Sequence, residues 1–333
     1  MSLSSSSVLE LSVESLLQSP ALASLQGKSL HEVYDLTSEQ TLALLHLAQH
    51  LKQLKRSGMP HAFLQGQHAA LYFEQPSTRT RLSFETALRD LGVHTYFLKQ
   101  DEVGLGKRES IADVARTLAR FVQSIVIRHL NDADIIELAQ QAGVPVVNAL
   151  SRGHHPCQAL ADALTMLEVW GSLRGKTVAF VGDASNNVAK SLMQVASLTG
   201  MNGILCGPEG YMLEAAEVER IHATMQAQGG TLLCTHNLEE ALQHADAIYT
   251  DVFTSMGQEA EKVMRLQALG GYQLNDQAMA LAPQHAVVLH CLPAHRGEEI
   301  THEVLEAHAA TVFEQAKNRH HAQKALMLAL MNK

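Results

Sequence analysis

The chain has 333 residues, 46% of them hydrophobic and 18% charged, with 25 basic and 34 acidic side chains and a formal net charge of −9. That length is enough for two hydrophobic cores. The negative balance excludes a general binder of nucleic acid or anionic membrane, because the long-range field repels polyanions. A small anionic substrate stays open, since a few local cations outweigh a diffuse field.

The first 27 residues hold Glu10 and Glu14 but no Lys, Arg or His, unlike a secretory signal or an organelle transit segment. Ser4 to Ser7 look like a frayed leader. The longest unbroken apolar run, Ala325 to Met331, is far short of the roughly 20 residues that a membrane span needs. Cys157, Cys206, Cys234 and Cys291 form no C-x-x-C pair, and the runs Ile204-Leu205-Cys206 and Leu232-Leu233-Cys234 predict buried thiols in strands. Reduced thiols in a soluble, cytoplasmic protein are the expectation.

Nine short runs read as strands: Ala69–Phe73, Thr95–Leu98, Ser124–Arg128, Val144–Ala149, Thr177–Gly182, Gly203–Cys206, Thr231–Cys234, Ala247–Asp251 and Ala286–His290. Most are rich in Val, Ile, Tyr or Leu and end in polar or Gly residues, as buried parallel strands do. Helical periodicity fills many of the gaps. Phe84, Ala87, Leu88 and Leu91 follow i, i+3, i+4, i+7 before Gly92; Ile111, Val114, Ala115 and Leu118 repeat it; Leu160, Leu164 and Leu167 precede Gly171. The alternation predicts two doubly wound α/β domains, each a mostly parallel sheet flanked by helices. The expected division is 1–153 (with a leader over 1–27), 154–318, and a last helix over 319–333 packing back on the first domain. Ligands in such folds bind beyond the carboxyl ends of strands.

Chemistry is densest in Ser77-Thr78-Arg79-Thr80-Arg81, directly after a strand and directly before a helix. Free N–H groups at a helix start, hydroxyls and guanidinium groups together make a phosphate cradle. A helix cap flanked by two surface arginines is the plainer alternative. Gly182-Asp183 with Asn186 resembles a dinucleotide turn, but no G-x-G-x-x-G accompanies it. The 19 histidines form no ligand pattern, because His154-His155 and His320-His321 are adjacent pairs rather than i, i+4 pairs. His155 precedes Pro156 and so belongs to a loop opening a helix. Asp251 alone would be a helix cap, and Cys291 alone a small buried hydrophobe.

The run Phe73-Glu74-Gln75-Pro76-Ser77-Thr78-Arg79-Thr80-Arg81 closely resembles the carbamoyl-phosphate signature of the aspartate/ornithine carbamoyltransferase family. The resemblance continues through Glu109–Asp113, Ile127-Arg128, His155-Pro156-Cys157-Gln158-Ala159-Leu160-Ala161-Asp162, Gly182-Asp183 with Asn186-Asn187, Asp251 with Ser255-Met256-Gly257, His290-Cys291-Leu292-Pro293, and Phe313-Glu314-Gln315 with Asn318-Arg319. These motifs cover essentially the whole chain after the leader, in family order. The Asp-x-x-x-Ser-Met-Gly and His-Cys-Leu-Pro patterns resemble the ornithine-using branch. Aspartate-using members carry His-Pro-Leu-Pro-Arg, and members acting on N-acylated ornithine tend to carry Ser-Leu-Arg-Thr-Arg and Lys-Cys-Leu-Pro.

The resemblance implies transfer of a carbamoyl group from carbamoyl phosphate to the δ-amine of L-ornithine, with no metal or organic cofactor. A carbamoyltransferase for a related amine or an N-acylated ornithine, or a non-catalytic ligand-binding relative, is the alternative. It implies that Ser77, Thr78, Arg79 and Thr80 hold the phosphate, with Arg128 reaching phosphate and carbonyl oxygen. His155 and Gln158 contact the carbamoyl group, Arg319 (in the first turn of the last helix) completes its polarisation, and Leu292 orients its amide through the backbone carbonyl. Cys291 lies near the attacking amine, Asn187 takes the α-carboxylate, and Asp251, Ser255 and the Met256 backbone take the α-amino end. Arg128, His155, Cys291 and Arg319 are the implied catalytic set, and Ser255-Met256-Gly257 a candidate lid. The implied assembly is a homotrimer or a dimer of trimers. One departure stands out: Gly104 occupies the place where ornithine enzymes often carry a Gln or His that reaches a neighbouring subunit, with Lys107 and Arg108 as possible substitutes.

Overall fold

The computed structural model describes residues 12–255 and 257–332. The chain divides into two compact units, one running to Leu164 and resuming at Lys317, the other spanning Thr165–Ala316. Both divisions fall inside helices, Pro156–Trp170 and Ala309–Met331.

The first unit is built on β1 (His68–Phe73), β2 (His94–Lys99), β3 (Ser124–Arg128) and β4 (Val146–Leu150), in the order β2-β1-β3-β4. The second is built on β5 (Thr177–Val181), β6 (Asn202–Cys206), β7 (Leu232–Thr235), β8 (Ala247–Tyr249) and β9 (Val287–Leu289), in the order β7-β6-β5-β8-β9. Every pairing is parallel, so helical crossovers are obligatory. Each of the nine sequence runs becomes a strand, with ends shifted by one or two residues. Val126, Ile127, Val178, Phe180 and Ile248 are fully buried, as strands covered on both faces require. One face of the first sheet packs Ala70, Tyr72, Ile125 and Ile127 against Val114, Ala115, Ile135 and Leu138. In the second unit Ala179, Val181, Ile248 and Val288 meet Ala241, Leu242, Val304 and Val312.

Both strand orders contain a point where the winding reverses. After β1 the chain moves outward to β2 and then returns to β3 on the other side of β1; after β5 it moves out through β6 and β7 and returns to β8. The crevices at the carboxyl ends of β1/β3 and of β5/β8 are where such sheets bind ligands. The Ser77–Thr80 run and Arg128 follow or end the first pair, and Asp183–Asn187 and Asp251 follow the second. A register shift between Ile127 and Arg128 sets Arg128 opposite Leu150 and leaves Ala149 as the extra residue on β4. Bulges of this kind turn a strand end and re-aim its last side chain.

Three expectations need correction. Cys234 is exposed, because β7 is an edge strand with few buried positions. Arg319 lies in the middle of the Ala309–Met331 helix, 3% exposed, rather than in its first turn; the helix begins ten residues earlier, where Ala309 to Gln315 carry no breaker. In the segment expected to be a leader, residues 12–27 are folded: the helices Val13–Leu17 and Pro20–Ala23, capped by Ser12 and Ser19, bury Val13, Leu17, Leu22 and Leu25. Ser4 to Ser7 and Met256 lie outside the described residues.

Gly104 also has a structural reason. It ends the helix Gln100–Val103 at φ 69°, in the left-handed region, and a Cβ there would sit 2.6 Å from the Arg108 Cβ. Arg108 is itself engaged, donating from Nη2 to the Glu102 carbonyl at 2.5 Å. A Gln or His at this position would be strained and would clash.

Candidate active site

In the first unit the helix Thr78–Asp90 starts where β1 has ended. Ser77 is its N-cap, its Oγ accepting from the Thr80 N–H at 3.3 Å and donating to Thr80 Oγ1 at 3.0 Å. The N–H groups of Thr78 and Arg79 have no acceptor within the helix, and the positive end of the helix dipole lies there. Thr78 and Arg79 are exposed, whereas Thr80 is fully buried. The helix then buries Phe84, Ala87 and Leu88, the stripe read from the sequence. Arg81 turns away from this run, donating to Glu85 at 2.9 Å with its guanidinium 3.8 Å over the Phe97 ring.

Thr80 Oγ1 accepts a 2.9 Å hydrogen bond from Arg319 Nη2, which ties the C-terminal helix to the cradle. His155 opens the helix Pro156–Trp170, its carbonyl accepting from the N–H groups of Gln158 and Ala159, and its ring is buried. Burial, then the positive charges of Arg319 and Arg128, hold the His155 imidazole well below its usual value. A neutral imidazole beside two buried guanidinium groups marks a pocket of positive potential, suited to an oxyanion. Gln158, 1% exposed, donates from Nε2 to Asp162 Oδ1 at 2.8 Å, and its buried amide oxygen has no donor among the described residues. Cys157 is inert here: burial raises its thiol to about 12, and its Sγ lies 3.5 Å from the Asn148 carbonyl.

In the second unit Asp251 lies two residues past β8 and is 7% exposed. Its Oδ1 accepts from the Cys291 thiol at 3.1 Å and from the Val252 N–H at 2.8 Å, and Asn186 donates to Oδ2 at 3.4 Å. Burial raises the Asp251 carboxyl; His290, the Cys291 thiol and the Val252 N–H pull the other way, and Glu299 adds to the rise. This is a carboxylate short of positive charge. Asn187 is the first residue of the helix Asn187–Thr199, behind the Asn186 cap. Ser255 donates its N–H to Gln258 Oε1 at 3.0 Å and so begins a turn.

His290 is fully buried, and its Nδ1 accepts from the Leu292 N–H at 2.9 Å while Nε2 meets Glu299 Oε1 at 3.1 Å. The Leu292 contact fixes the tautomer with the proton on Nε2. Leu292 holds φ 58°, a left-handed conformation that non-glycine residues rarely adopt, followed by a cis bond to Pro293. The geometry of the Cys291-Leu292 turn is thus set by His290 from behind. Gln315 supports it further, accepting from the His290 N–H at 2.9 Å and donating to the Tyr249 hydroxyl at 3.2 Å.

The structure thus brings Ser77, Thr80, Arg128, His155 and Arg319 together in the first unit and Asp251 and Cys291 together in the second, and it adds residues that the sequence did not single out for the site. Arg265 forms a buried ion pair with Asp183 and donates to the Phe253 carbonyl at 2.6 Å, pinning the segment after Asp251. Glu299 and Gln315 position His290. Gly182, at φ 120°, leaves room for Phe253, which a Cβ would approach to 3.0 Å.

The fold is of two parallel sheets, with the Ser77–Thr80 run at one switch point and a buried carboxylate–thiol pair, Asp251 and Cys291, at the other. Residues 28–168 match the aspartate/ornithine carbamoyltransferase carbamoyl-P binding domain, and residues 174–330 match the Asp/Orn binding domain; the chain belongs to the aspartate/ornithine carbamoyltransferase family. It is 44% identical to the ornithine carbamoyltransferase of Halalkalibacterium halodurans over 313 residues, covering 94% of this chain and 98% of the relative. It is 44% identical over 306 residues to that of Archaeoglobus fulgidus, covering 92% and 98%. The solved ornithine carbamoyltransferase of Pyrococcus furiosus superposes with a TM-score of 0.89 at 40% identity, covering 92% of this chain and 98% of the other.

Proposed function

We propose that this protein transfers the carbamoyl group of carbamoyl phosphate to the δ-amino group of L-ornithine, giving L-citrulline and phosphate. The observation that carries this most directly is the buried pair of guanidinium groups flanking neutral His155 beside the Ser77–Thr80 cradle. The cradle suits a phosphate, and Arg128, Arg319, Thr80 and His155 suit a carbonyl oxygen that becomes an oxyanion. The Gln158 amide oxygen and the Leu292 carbonyl are acceptors for the carbamoyl NH2.

In this reaction the neutral δ-amine attacks the carbonyl carbon. The new C–N bond pushes the carbonyl electron pair onto oxygen; the tetrahedral species collapses, the C–O bond to phosphate breaks, and the departing phosphate takes up the amine proton. Removing one preorganised oxyanion donor typically costs about 10²–10³ in kcat. On the acceptor side, Asp251 and Ser255 with the Met256 backbone take the α-ammonium group, Asn187 the α-carboxylate, and Cys291 lies near the attacking amine. A buried carboxylate short of positive charge favours an amine-bearing acceptor and disfavours a dicarboxylate such as aspartate. Among the described residues, no helix is long and apolar enough to cross a membrane. The family resemblance supports a cytoplasmic homotrimer or dimer of trimers.

The test is product formation from carbamoyl phosphate with L-ornithine, N-acetylornithine, putrescine and L-aspartate side by side. Ornithine should give the highest kcat/KM. Preference for another acceptor would overturn the assignment, as would undetectable turnover accompanied by normal carbamoyl-phosphate binding.

A further inference from the structure

His31, Asp132 and His154 come from three distant stretches of the first unit. His31 Nε2 lies 2.9 Å from Asp132 Oδ1, the His31 and His154 ring centroids are 4.8 Å apart, and one donor atom from each of the three residues lies within 4.8 Å of the other two. Glu32 Oε2 adds a further oxygen 3.9 Å from His154 Nδ1.

From this arrangement we infer that His31, Asp132 and His154 bind one borderline divalent cation of the zinc class, with the fourth position left to solvent. In a tetrahedral site with bonds of about 2.0–2.1 Å, donors stand roughly 3.3 Å apart. The His31–Asp132 distance of 2.9 Å lies just below that value and the other separations are no more than 4.8 Å, so small side-chain adjustments would bring the three donors to it. Two imidazoles with a carboxylate suit zinc, cobalt or nickel; magnesium and calcium prefer all-oxygen shells.

The site rests on a rigid base. Buried Ser151 donates to Asp132 Oδ1 at 2.5 Å, and the Gly153 N–H donates to Oδ2 at 3.1 Å. Buried Asn148 donates to the His31 carbonyl at 2.9 Å and to Ser151 Oγ at 3.0 Å, joining the backs of two donor residues. Outer-shell hydrogen bonds of this kind orient metal ligands. The His31 and Asp132 side chains are 18% and 30% exposed, which leaves a cation an entry path. A bound cation joins the segment that bridges Leu30 to Val147, the start of the helix Asp132–Ala142 and the loop after β4. The last of these leads directly into His155, so the cation acts as a positioning device outside the reacting groups.

The test titrates metal-free, full-length protein with Zn²⁺ against a chromophoric chelator and with Co²⁺ as a spectroscopic probe. His31→Gln and His154→Gln run alongside, each retaining a polar amide and each checked for an unchanged metal-free melting temperature. A second cluster, Asp251, His290 and Cys291, could also take a cation, but cobalt there would give an intense near-ultraviolet thiolate charge-transfer band. The expected result is one equivalent per chain showing ligand-field bands without that band, bound at least about tenfold more weakly in each variant. A smaller change in either variant, no binding by the wild type, or binding only with the thiolate band overturns the inference.

Discussion

Asp90→Asn should destabilise the first unit by at least about 3 kcal/mol. The Asp90 carboxylate closes the C-terminal helix onto this unit: Lys55 reaches it at 2.7 Å, His320 at 2.8 Å and Lys324 at 3.2 Å. Burial alone would raise this carboxyl, but the Lys55 hydrogen bond and the charges of Lys324, His320 and Lys55 hold it well below the usual carboxylate range. The three partners lose different amounts. The Lys55 side chain is 37% exposed and recovers its water, so its loss resembles that of a surface pair, about 0.2–1 kcal/mol. His320 titrates at about 4, lowered chiefly by burial, so near neutrality it is an uncharged donor whose hydrogen bond is worth about 1 kcal/mol. The Lys324 side chain is fully buried, and leaving its ammonium without a counter-charge belongs to the class of about 3–5 kcal/mol. The retained Asn carbonyl still accepts one bond worth about 1 kcal/mol, which leaves a net effect of at least about 3 kcal/mol.

Urea unfolding at pH 7, with amide exchange over 317–331 to assign the loss to the terminal helix, measures it. A second arm uses pH. Burial already holds Lys324 below its usual value, opposed by Asp90, and removing Asp90 lowers it further. Between that folded value and about 10.4 the unfolded state binds more protons, so stability rises with pH, and the deficit of Asp90→Asn should shrink between pH 7 and 10. A loss below about 1 kcal/mol with unchanged exchange, or a deficit independent of pH, would refute this account of Lys324.

Arg79→Ala should weaken carbamoyl-phosphate binding roughly 10–100-fold by calorimetry, the value of a hydrogen bond to a charged group; unchanged affinity contradicts a cradle at the helix start. Asp251→Asn should raise the ornithine KM at least about tenfold while shifting that for carbamoyl phosphate less than about twofold, in steady-state kinetics varying each substrate; equal effects count against its acceptor role. With a disulfide reagent at pH 8 and peptide mapping, native Cys234 should be modified, because it is exposed, while Cys157 and Cys206 stay unmodified. Burial pushes both of the latter up to about 12, which leaves almost no thiolate; rapid labelling of Cys206 would show that the second unit opens locally.

The strands were legible because burial on both faces writes continuous apolar runs, and the Thr78–Asp90 helix because its stripe, Ser77 cap and Gly92 stop agree. Edge position left no comparable mark: Leu232-Leu233-Cys234 has the hydrophobicity of a central strand, yet Cys234 faces outward. The Asp183–Arg265 pair and the His31–Asp132–His154 cluster join residues 82, 101 and 22 positions apart, and no local period encodes such meetings. Arg319 was named by motif but misplaced, because the start of the last helix has no sharp sequence signal and its burying partners are distant in the chain. Gly104 shows the converse, a departure from family pattern that the left-handed cap at that position accounts for.

The first unit is discontinuous in the chain, since its last piece begins at Lys317 after the whole of Thr165–Ala316. Synthesis on the ribosome proceeds from the N-terminus, so the second unit can finish folding while the first still lacks the helical piece that carries Arg319. The first unit can therefore be completed only after the whole of Thr165–Ala316 has been made. A chain that stops before Lys317 holds the whole second unit and only part of the first.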